Sequence, residues 1–164
     1  ELGNAAAQSS LADMLAQGMG TTQDFAQAIN WWRKAAEQGY ATAQCNLGAA
    51  YGTGTGIPRD LDQAVRWYRK AAEQGHSGGQ YNLGFMYYKG DGVPKDHAEA
   101  AKWWRKAASQ GNVECQHNLG VMYAAGDGVP KDTSEAAKWW SIAAENGNAR
   151  AAAALRDMKT SGSN

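Results

Sequence analysis

The feature that most constrains this chain of 164 residues is an internal repeat with a period of 36 residues. One set of glycines, one set of leucines and one set of tryptophans follow this period: Gly39, Gly75, Gly111 and Gly147; Leu11, Leu47, Leu83, Leu119 and Leu155; Trp31, Trp67, Trp103 and Trp139. No insertion breaks the register. An unbroken period of this length predicts small structural units that stack on copies of themselves.

The composition and the breaks within one period predict that each unit is a pair of helices. The chain has 32 alanines but only 5 valines and 3 isoleucines, which favours helix over sheet. In the second repeat, Leu47 and Tyr51 share one helical face, and the Gly/Pro-rich stretch 54–58 then ends that helix. Asp60 is the predicted N-cap of the next helix, which ends before Gly75.

We therefore predict an all-α fold, a right-handed superhelical α-solenoid of helix-turn-helix repeats. A single domain spanning residues 1–164 would hold four repeats, at about 4–39, 40–75, 76–111 and 112–147, a C-terminal capping helix at 148–159 and a frayed tail at 160–164. Residues 1–3 align with residues 37–39, the end of a second helix. This alignment indicates either a piece of a longer protein or a worn-down first repeat.

Charge and hydropathy argue against nucleic acid and membrane as partners. The 16 Lys and Arg residues are balanced by 16 Asp and Glu residues, so no net charge draws the chain to phosphates. No apolar run approaches the roughly 18 residues that a membrane span requires. We expect no nucleic-acid binding and no direct membrane insertion.

Residues capable of catalysis or metal binding do not form a recognisable site in the sequence. Cys45 and Cys115 lie two repeats apart and are predicted to be free thiols, with Cys115 in the core. Cys115 and His117 are two positions apart on a helix, so their side chains diverge. The three histidines share neither a face nor a repeat column, and no serine is followed three residues later by lysine. We expect no enzymatic activity, catalytic residue, metal, cofactor or small-molecule substrate.

The motif of each unit resembles the Sel1-like repeat family, a branch of the tetratricopeptide-repeat superfamily. In the third repeat the motif reads as follows: Leu83-Gly84, Tyr87, Gly90, Gly92-Val93-Pro94, Asp96, Ala100, Trp103, Ala107-Ala108 and Gly111. The resemblance covers about residues 3 to 159 and is weakest in the first repeat, where Thr22 stands in place of the proline. It implies an adaptor that binds other proteins, of a kind common in bacteria.

The resemblance also implies where a partner would bind. In related arrays the first helix of each repeat lines a concave groove, and this places Asn46, Asn82 and Asn118 on its wall. Their amides could pair with the backbone of an extended peptide, or instead brace neighbouring helices. The groove positions that vary between repeats are richest in aromatic and polar side chains around the third repeat: Tyr81, Phe85, Tyr88, Lys89 and His117. These side chains could anchor an apolar or aromatic side chain of a partner, or Phe85 and Tyr88 could pack on the next repeat.

The predicted function is a non-catalytic protein–protein interaction module that binds a peptide segment or a protein surface in this groove. The alternative is a structural linker in a larger assembly, acting through the convex face and the ends of the array. For localisation, the sequence leaves open the bacterial cytoplasm and, if an upstream leader has been removed, the periplasm or secretion.

Overall fold

The computed structural model describes residues 3–161, and these residues fold into helices joined by short loops, with no strand among them. The helices are α1 (Ala5–Gln17), α2 (Phe25–Glu37), α3 (Ala41–Thr53), α4 (Leu61–Glu73), α5 (Ser77–Lys89), α6 (His97–Ser109), α7 (Val113–Ala125), α8 (Thr133–Glu145) and α9 (Ala149–Ser161). Odd-numbered helices are the first helices of the repeats and even-numbered helices are the second helices. The all-α class and the helix-turn-helix repeat of 36 residues are confirmed.

The second helices begin where the sequence places their caps. In each case an aspartate Oδ1 accepts a hydrogen bond of 2.9 Å from the backbone N–H three residues later. The four capping residues are Asp24, Asp60, Asp96 and Asp132. Each cap satisfies a backbone donor that the first turn leaves unpaired, so every second helix starts at the same point of its repeat.

Glycines on the first helices allow the second helix of the same repeat to approach closely. A Cβ atom on Gly48 would lie 2.8 Å from Cδ1 of Tyr68, inside any normal contact distance. Gly120 faces the ring of Trp140 in the same way. In these repeats the large ring of the second helix therefore lies directly on the backbone of the first helix.

The described residues divide into two compact units, one holding the residues up to Leu83 together with Asp91–Val93, the other holding Gly84–Gly90 and the residues from Pro94 onward. In the first unit, alanines and a few large side chains of α1, α2 and α3 form one buried cluster, including Leu15, Ile29, Trp32 and Leu47. In the second unit, a buried cluster joins α8 to α9 and includes Trp140 and Ala151.

The last described helix, α9, occupies the position of a first helix in the repeat. Asn148 Oδ1 accepts a hydrogen bond from the backbone N–H of Ala151 at 2.9 Å and so caps α9. Leu155 and Met158 pack against the cluster that contains Trp140 of α8. Residues 160 and 161 of the predicted tail belong to α9, whereas residues 162–164 and the first two residues of the chain lie outside the described residues.

Candidate functional site

The amide of Asn46, on α3, is bound on one side to the preceding repeat. Asn46 Nδ2 donates to Asp13 Oδ1 at 2.9 Å, and Trp32 Nε1 donates to the same oxygen at 2.8 Å. One carboxylate thus connects α1, α2 and α3. Among residues 3–161 no donor binds the Asn46 Oδ1 atom, so this amide braces the fold through its nitrogen and keeps its acceptor available.

A pocket of about 200 Å³ opens beside Asn46 in the first unit. Its lining is mostly apolar and comes from α2, α3 and the loop after α3: Phe25, Trp32, Asn46, Ala49, Ala50, Thr53 and Thr55. The hydroxyls of Thr53 and Thr55 are hydrogen-bonded to each other at 2.8 Å. Apolar walls with a few polar groups are typical of sites that take a small apolar group in a fixed orientation.

The other two asparagines of the column have different surroundings. Asn82 Nδ2 lies 3.6 Å from Cys45 Sγ, a weak hydrogen bond within the first unit. Asn118 is half-buried on α7, in the second unit, and its side chain makes no hydrogen bond within residues 3–161. The Nδ2 groups of Asn46 and Asn82 therefore brace neighbouring helices. Asn118, in contrast, has both its donor and its acceptor available.

In the second unit, Tyr88 is held between two rings. Its ring stacks on His97, with centroids 4.4 Å apart and an interplanar angle of 15°, and lies 5.3 Å from the ring of Trp104. His97 Nε2 is 3.1 Å from the Tyr88 carbonyl oxygen, and His97 Nδ1 pairs with Asp127. Tyr88 therefore packs on α6 of its own repeat and not on the first helix of the next repeat, and its side chain is half-buried.

Phe85 and Lys89 are the exposed members of the predicted patch. Phe85 is 39 % exposed, and Lys89 Nζ lies 5.7 Å from the centroid of its ring. Tyr81, earlier on α5 and in the first unit, is half-buried. Large exposed rings with a nearby cation are features that recur at protein interfaces.

His117, on α7, is half-buried with one nitrogen that has no partner. Its Nδ1 atom is buried and makes no hydrogen bond within the described residues, while its carbonyl oxygen accepts from Trp140 Nε1 at 3.2 Å. Burial, with a smaller contribution from the positive charge of Arg150, lowers the pKa of His117 below its ordinary value. The ring is therefore neutral at pH 7.

A column of buried glutamines is a structural element that our sequence analysis missed. Gln44, Gln80 and Gln116 each donate Nε2 to a carbonyl near the end of the preceding second helix, at 3.1, 3.2 and 3.1 Å. The acceptors are the carbonyls of Ala36, Ala72 and Ala108. The signal was present, because these glutamines recur every 36 residues on a face that is otherwise apolar.

On three of the second helices, a lysine side chain covers the tryptophan that recurs every 36 residues. Lys34 Nζ lies 4.2 Å from the ring centroid of Trp31, and the equivalent distances for Lys70 on Trp67 and Lys106 on Trp103 are 4.2 and 4.0 Å. In the fourth repeat Ile142 occupies the position of the lysine and is 40 % exposed. These three lysines are thus engaged with their own helices by cation–π contacts.

The described part of the chain contains neither a metal-type cluster nor a membrane-type helix. Within residues 3–161, no three histidine, cysteine or acidic side chains lie together as metal ligands would. None of the helices described there combines the length and hydropathy of a membrane-spanning segment. Cys45 and Cys115 are both buried free thiols, and Cys115 is fully buried in the core as predicted.

Comparison with known proteins identifies the repeat. The Sel1 repeat family model matches four consecutive segments, residues 5–40, 41–76, 77–112 and 113–148. These segments lie within one residue of the repeat boundaries predicted from the period. A search of curated proteins found no match.

Several solved structures are similar to this chain. The c5321 protein of uropathogenic Escherichia coli, described as a protective antigen with an SLR fold, is 47 % identical with a TM-score of 0.95, over 98 % of this chain and 34 % of that one. A Sel1 repeat protein from Oxalobacter formigenes is 40 % identical with a TM-score of 0.88, over 94 % and 63 %. The immunity protein Pa5087 from Pseudomonas aeruginosa is 28 % identical with a TM-score of 0.63, over 90 % and 55 %.

The chain thus spans about a third of the c5321 protein and under two thirds of the O. formigenes protein. The family match covers nearly the whole chain and agrees with the helix pairs, the aspartate caps and the ring-on-glycine packing described above. The chain belongs to the Sel1 repeat family.

Proposed function

We propose that this chain is a non-catalytic interaction module that binds an extended peptide segment or a protein surface along its first helices. Sel1-repeat proteins are generally protein-interaction modules, and the asparagine column Asn46, Asn82 and Asn118 is the proposed contact with the backbone of the partner. The observation that carries the proposal is the half-buried amide of Asn118, which makes no hydrogen bond within the described residues. A peptide bond offers the donor and the acceptor that such an amide lacks.

The pocket beside Asn46 supports a contact with a side chain of the same partner. The pocket, of about 200 Å³, has room for one aliphatic side chain of leucine size, and Asn46, one of its lining residues, keeps an Oδ1 atom that can accept from a peptide N–H. A ligand held there would gain an apolar contact and a backbone hydrogen bond together. This combination is how extended peptides are recognised without a fixed sequence at every position.

The aromatic patch of α5 supplies the second proposed contact. Phe85 and Lys89 are exposed, and Tyr88 is kept in one orientation by its stacking on His97. Rings that are already ordered lose little conformational entropy on binding, which makes them effective anchors. Tyr81 and the neutral ring of His117 complete the set of proposed contacts.

The thiols support the non-catalytic part of the proposal. Burial raises the pKa of Cys45, and it raises the pKa of Cys115 to about 12, with the negative charge of Glu114 adding to the effect. Both cysteines are therefore protonated at neutral pH. Because the thiolate is the nucleophile, neither cysteine is activated for covalent catalysis.

Binding of displayed peptides tests this function. The chain is used to select binders from a phage library of random 12-residue peptides, and the Kd of each selected peptide is measured by fluorescence polarisation. Asn118→Ala is expected to weaken binding about 10-fold, the loss of roughly 1.4 kcal/mol from one or two hydrogen bonds. The matched control is Asn30→Ala, an exposed asparagine on α2, which is expected to leave Kd unchanged. Peptides that bind Asn118→Ala as well as the parent chain would contradict the proposed contact.

The aromatic contact has its own variant. Tyr81→Ala combined with Tyr88→Ala is expected to weaken peptides that carry an apolar anchor by at least 10-fold, provided that circular dichroism shows an unchanged helix content. Because Tyr88 also packs on Trp104, Phe85→Ala is the cleaner second variant. Normal binding by both variants would remove the aromatic patch from the site and leave the asparagine column as the contact to be tested.

A further inference from the structure

The outer face of α1 exposes large apolar side chains at positions that are buried in every later repeat. Leu11 is 40 % exposed and Met14 is 46 % exposed. The residues one, two and three periods later are at most 6 % exposed: Leu47, Leu83 and Leu119 at 0 %, and Ala50, Met86 and Met122 at 5, 6 and 2 %. The first repeat thus carries the same apolar surface without the cover that the others have.

The cover in the later repeats is the second helix of the repeat before. In the first unit, Leu47 and Ala50 of α3 belong to one cluster with Ile29 and Trp32 of α2. In the second unit, Leu155 of α9 packs against the cluster built on α8. The partner of this face is therefore a second-type helix wherever the partner is described.

A polar group on the same face points to the same partner. Gln44 on α3 donates its Nε2 group to the carbonyl of Ala36 near the end of α2, and Gln80 and Gln116 make the equivalent bonds. Gln8 is the residue one period before Gln44. Its Oε1 atom accepts from Gln38, but its Nε2 group has no acceptor within the described residues. This amide donor corresponds to those that bind a helix carboxyl end in the later repeats.

We propose that Gln8, Leu11 and Met14 form a docking surface for the second helix of a further Sel1-type repeat that precedes α1 in the same polypeptide. The interface would continue the one that α2 makes with α3, with the Gln8 amide bound to the last turn of the incoming helix. In a second copy of the described chain the second-type helices are already occupied, because α2, α6 and α8 carry α3, α7 and α9, and the end of α4 accepts a hydrogen bond from Gln80 of α5. The inference stands apart from the proposed peptide site, since none of the three residues belongs to it.

A fusion tests the proposal directly. Residues 41–74 are joined ahead of Gly3, so that Gly3 takes the register of Gly75 and α4 is duplicated onto α1. The fusion is expected to raise the melting temperature by about 5 °C or more, because each added repeat contributes a new interface. Leu11→Lys is expected to remove most of this rise in the fusion, and to change the melting temperature of the parent chain by less than about 2 °C.

One control variant and one further measurement separate the possible results. Gln17→Lys adds the same charge at a position that is exposed in α1, and whose equivalents Thr53, Lys89 and Ala125 are also exposed, so it should leave the rise intact. A folded fusion with no rise, or a Leu11→Lys effect equal in both chains, would overturn the proposal. Light scattering that shows a dimer of the parent chain, converted to monomer by Leu11→Lys, would assign the surface to a second copy and would also overturn it.

Discussion

Asn46 and Asn118 occupy the same column of the repeat, yet the structure predicts a clear loss of stability when Asn46 is replaced by alanine and almost none when Asn118 is. Asn46 donates to the Asp13 carboxylate at 2.9 Å in a partly buried site, whereas Asn118 makes no hydrogen bond within residues 3–161. A hydrogen bond to a charged acceptor contributes about 1.5–3 kcal/mol, and partial exposure reduces this, so we expect Asn46→Ala to cost about 1–2 kcal/mol. Asn118→Ala should change the free energy of unfolding by less than about 0.5 kcal/mol.

Urea denaturation followed by tryptophan fluorescence measures both values on the same chain. At about 2–4 °C per kcal/mol for a chain of this size, the Asn46→Ala melting temperature should fall by about 2–8 °C. A double-mutant cycle with Asp13→Ala isolates the pair, and we expect a coupling of at least about 0.5 kcal/mol. A coupling of zero, or equal costs at the two asparagines, would refute the assignment of Asn46 to bracing and of Asn118 to ligand binding.

Three further predictions concern packing and protonation. Gly120→Ala places a methyl group against the Trp140 ring and should cost about 1–3 kcal/mol in a denaturant titration. Gly52→Ala meets only ordinary contacts and should be neutral or stabilising. Equal effects of the two variants would contradict the close-packing account. Burial lowers the pKa of His76, whose Nδ1 atom caps α5. Stability should therefore fall as pH drops below about 6.5, and His76→Asn should reduce this dependence. A flat pH profile of stability in the parent chain would contradict this prediction. Burial raises the pKa of Cys115 from 9.0 to about 12, so its contribution to stability should be full below pH 9 and decline from there towards pH 12. The native thiol should also react slowly with iodoacetamide at pH 8, and fast labelling would contradict its buried position.

The helices, their caps and their repeat were predictable because they depend on local chemistry and on periodicity. Asp60 caps α4 through the backbone N–H of a residue only three positions away, and such a contact is encoded in the spacing itself. Gly48 marks the close approach of Tyr68 because no larger residue fits there. The aspartate cap recurs in four repeats and the glycine beneath a ring in three, so periodicity marks both features.

The partners of polar side chains were less predictable, because they depend on how one repeat is positioned on the next. The hydrogen bond from Asn46 to Asp13 joins residues 33 positions apart and exists only in the first unit, where the column holds an aspartate. The Gln44 bond to the Ala36 carbonyl requires the end of one helix to meet the face of another. The stacking of Tyr88 on His97 is likewise a feature of one repeat.

The most direct test of the proposed binding surface is a two-dimensional NMR spectrum of the isotope-labelled chain with and without a selected peptide. The side-chain amide of Asn118 and the indole N–H groups of the second helices give resolved signals. The amide reports on the first helices and the indole groups report on the second helices. Our account predicts that the Asn118 amide shifts on peptide addition, while the indole signals of Trp31 and Trp67 do not. Shifts confined to those indole signals, with the Asn118 amide unchanged, would contradict it.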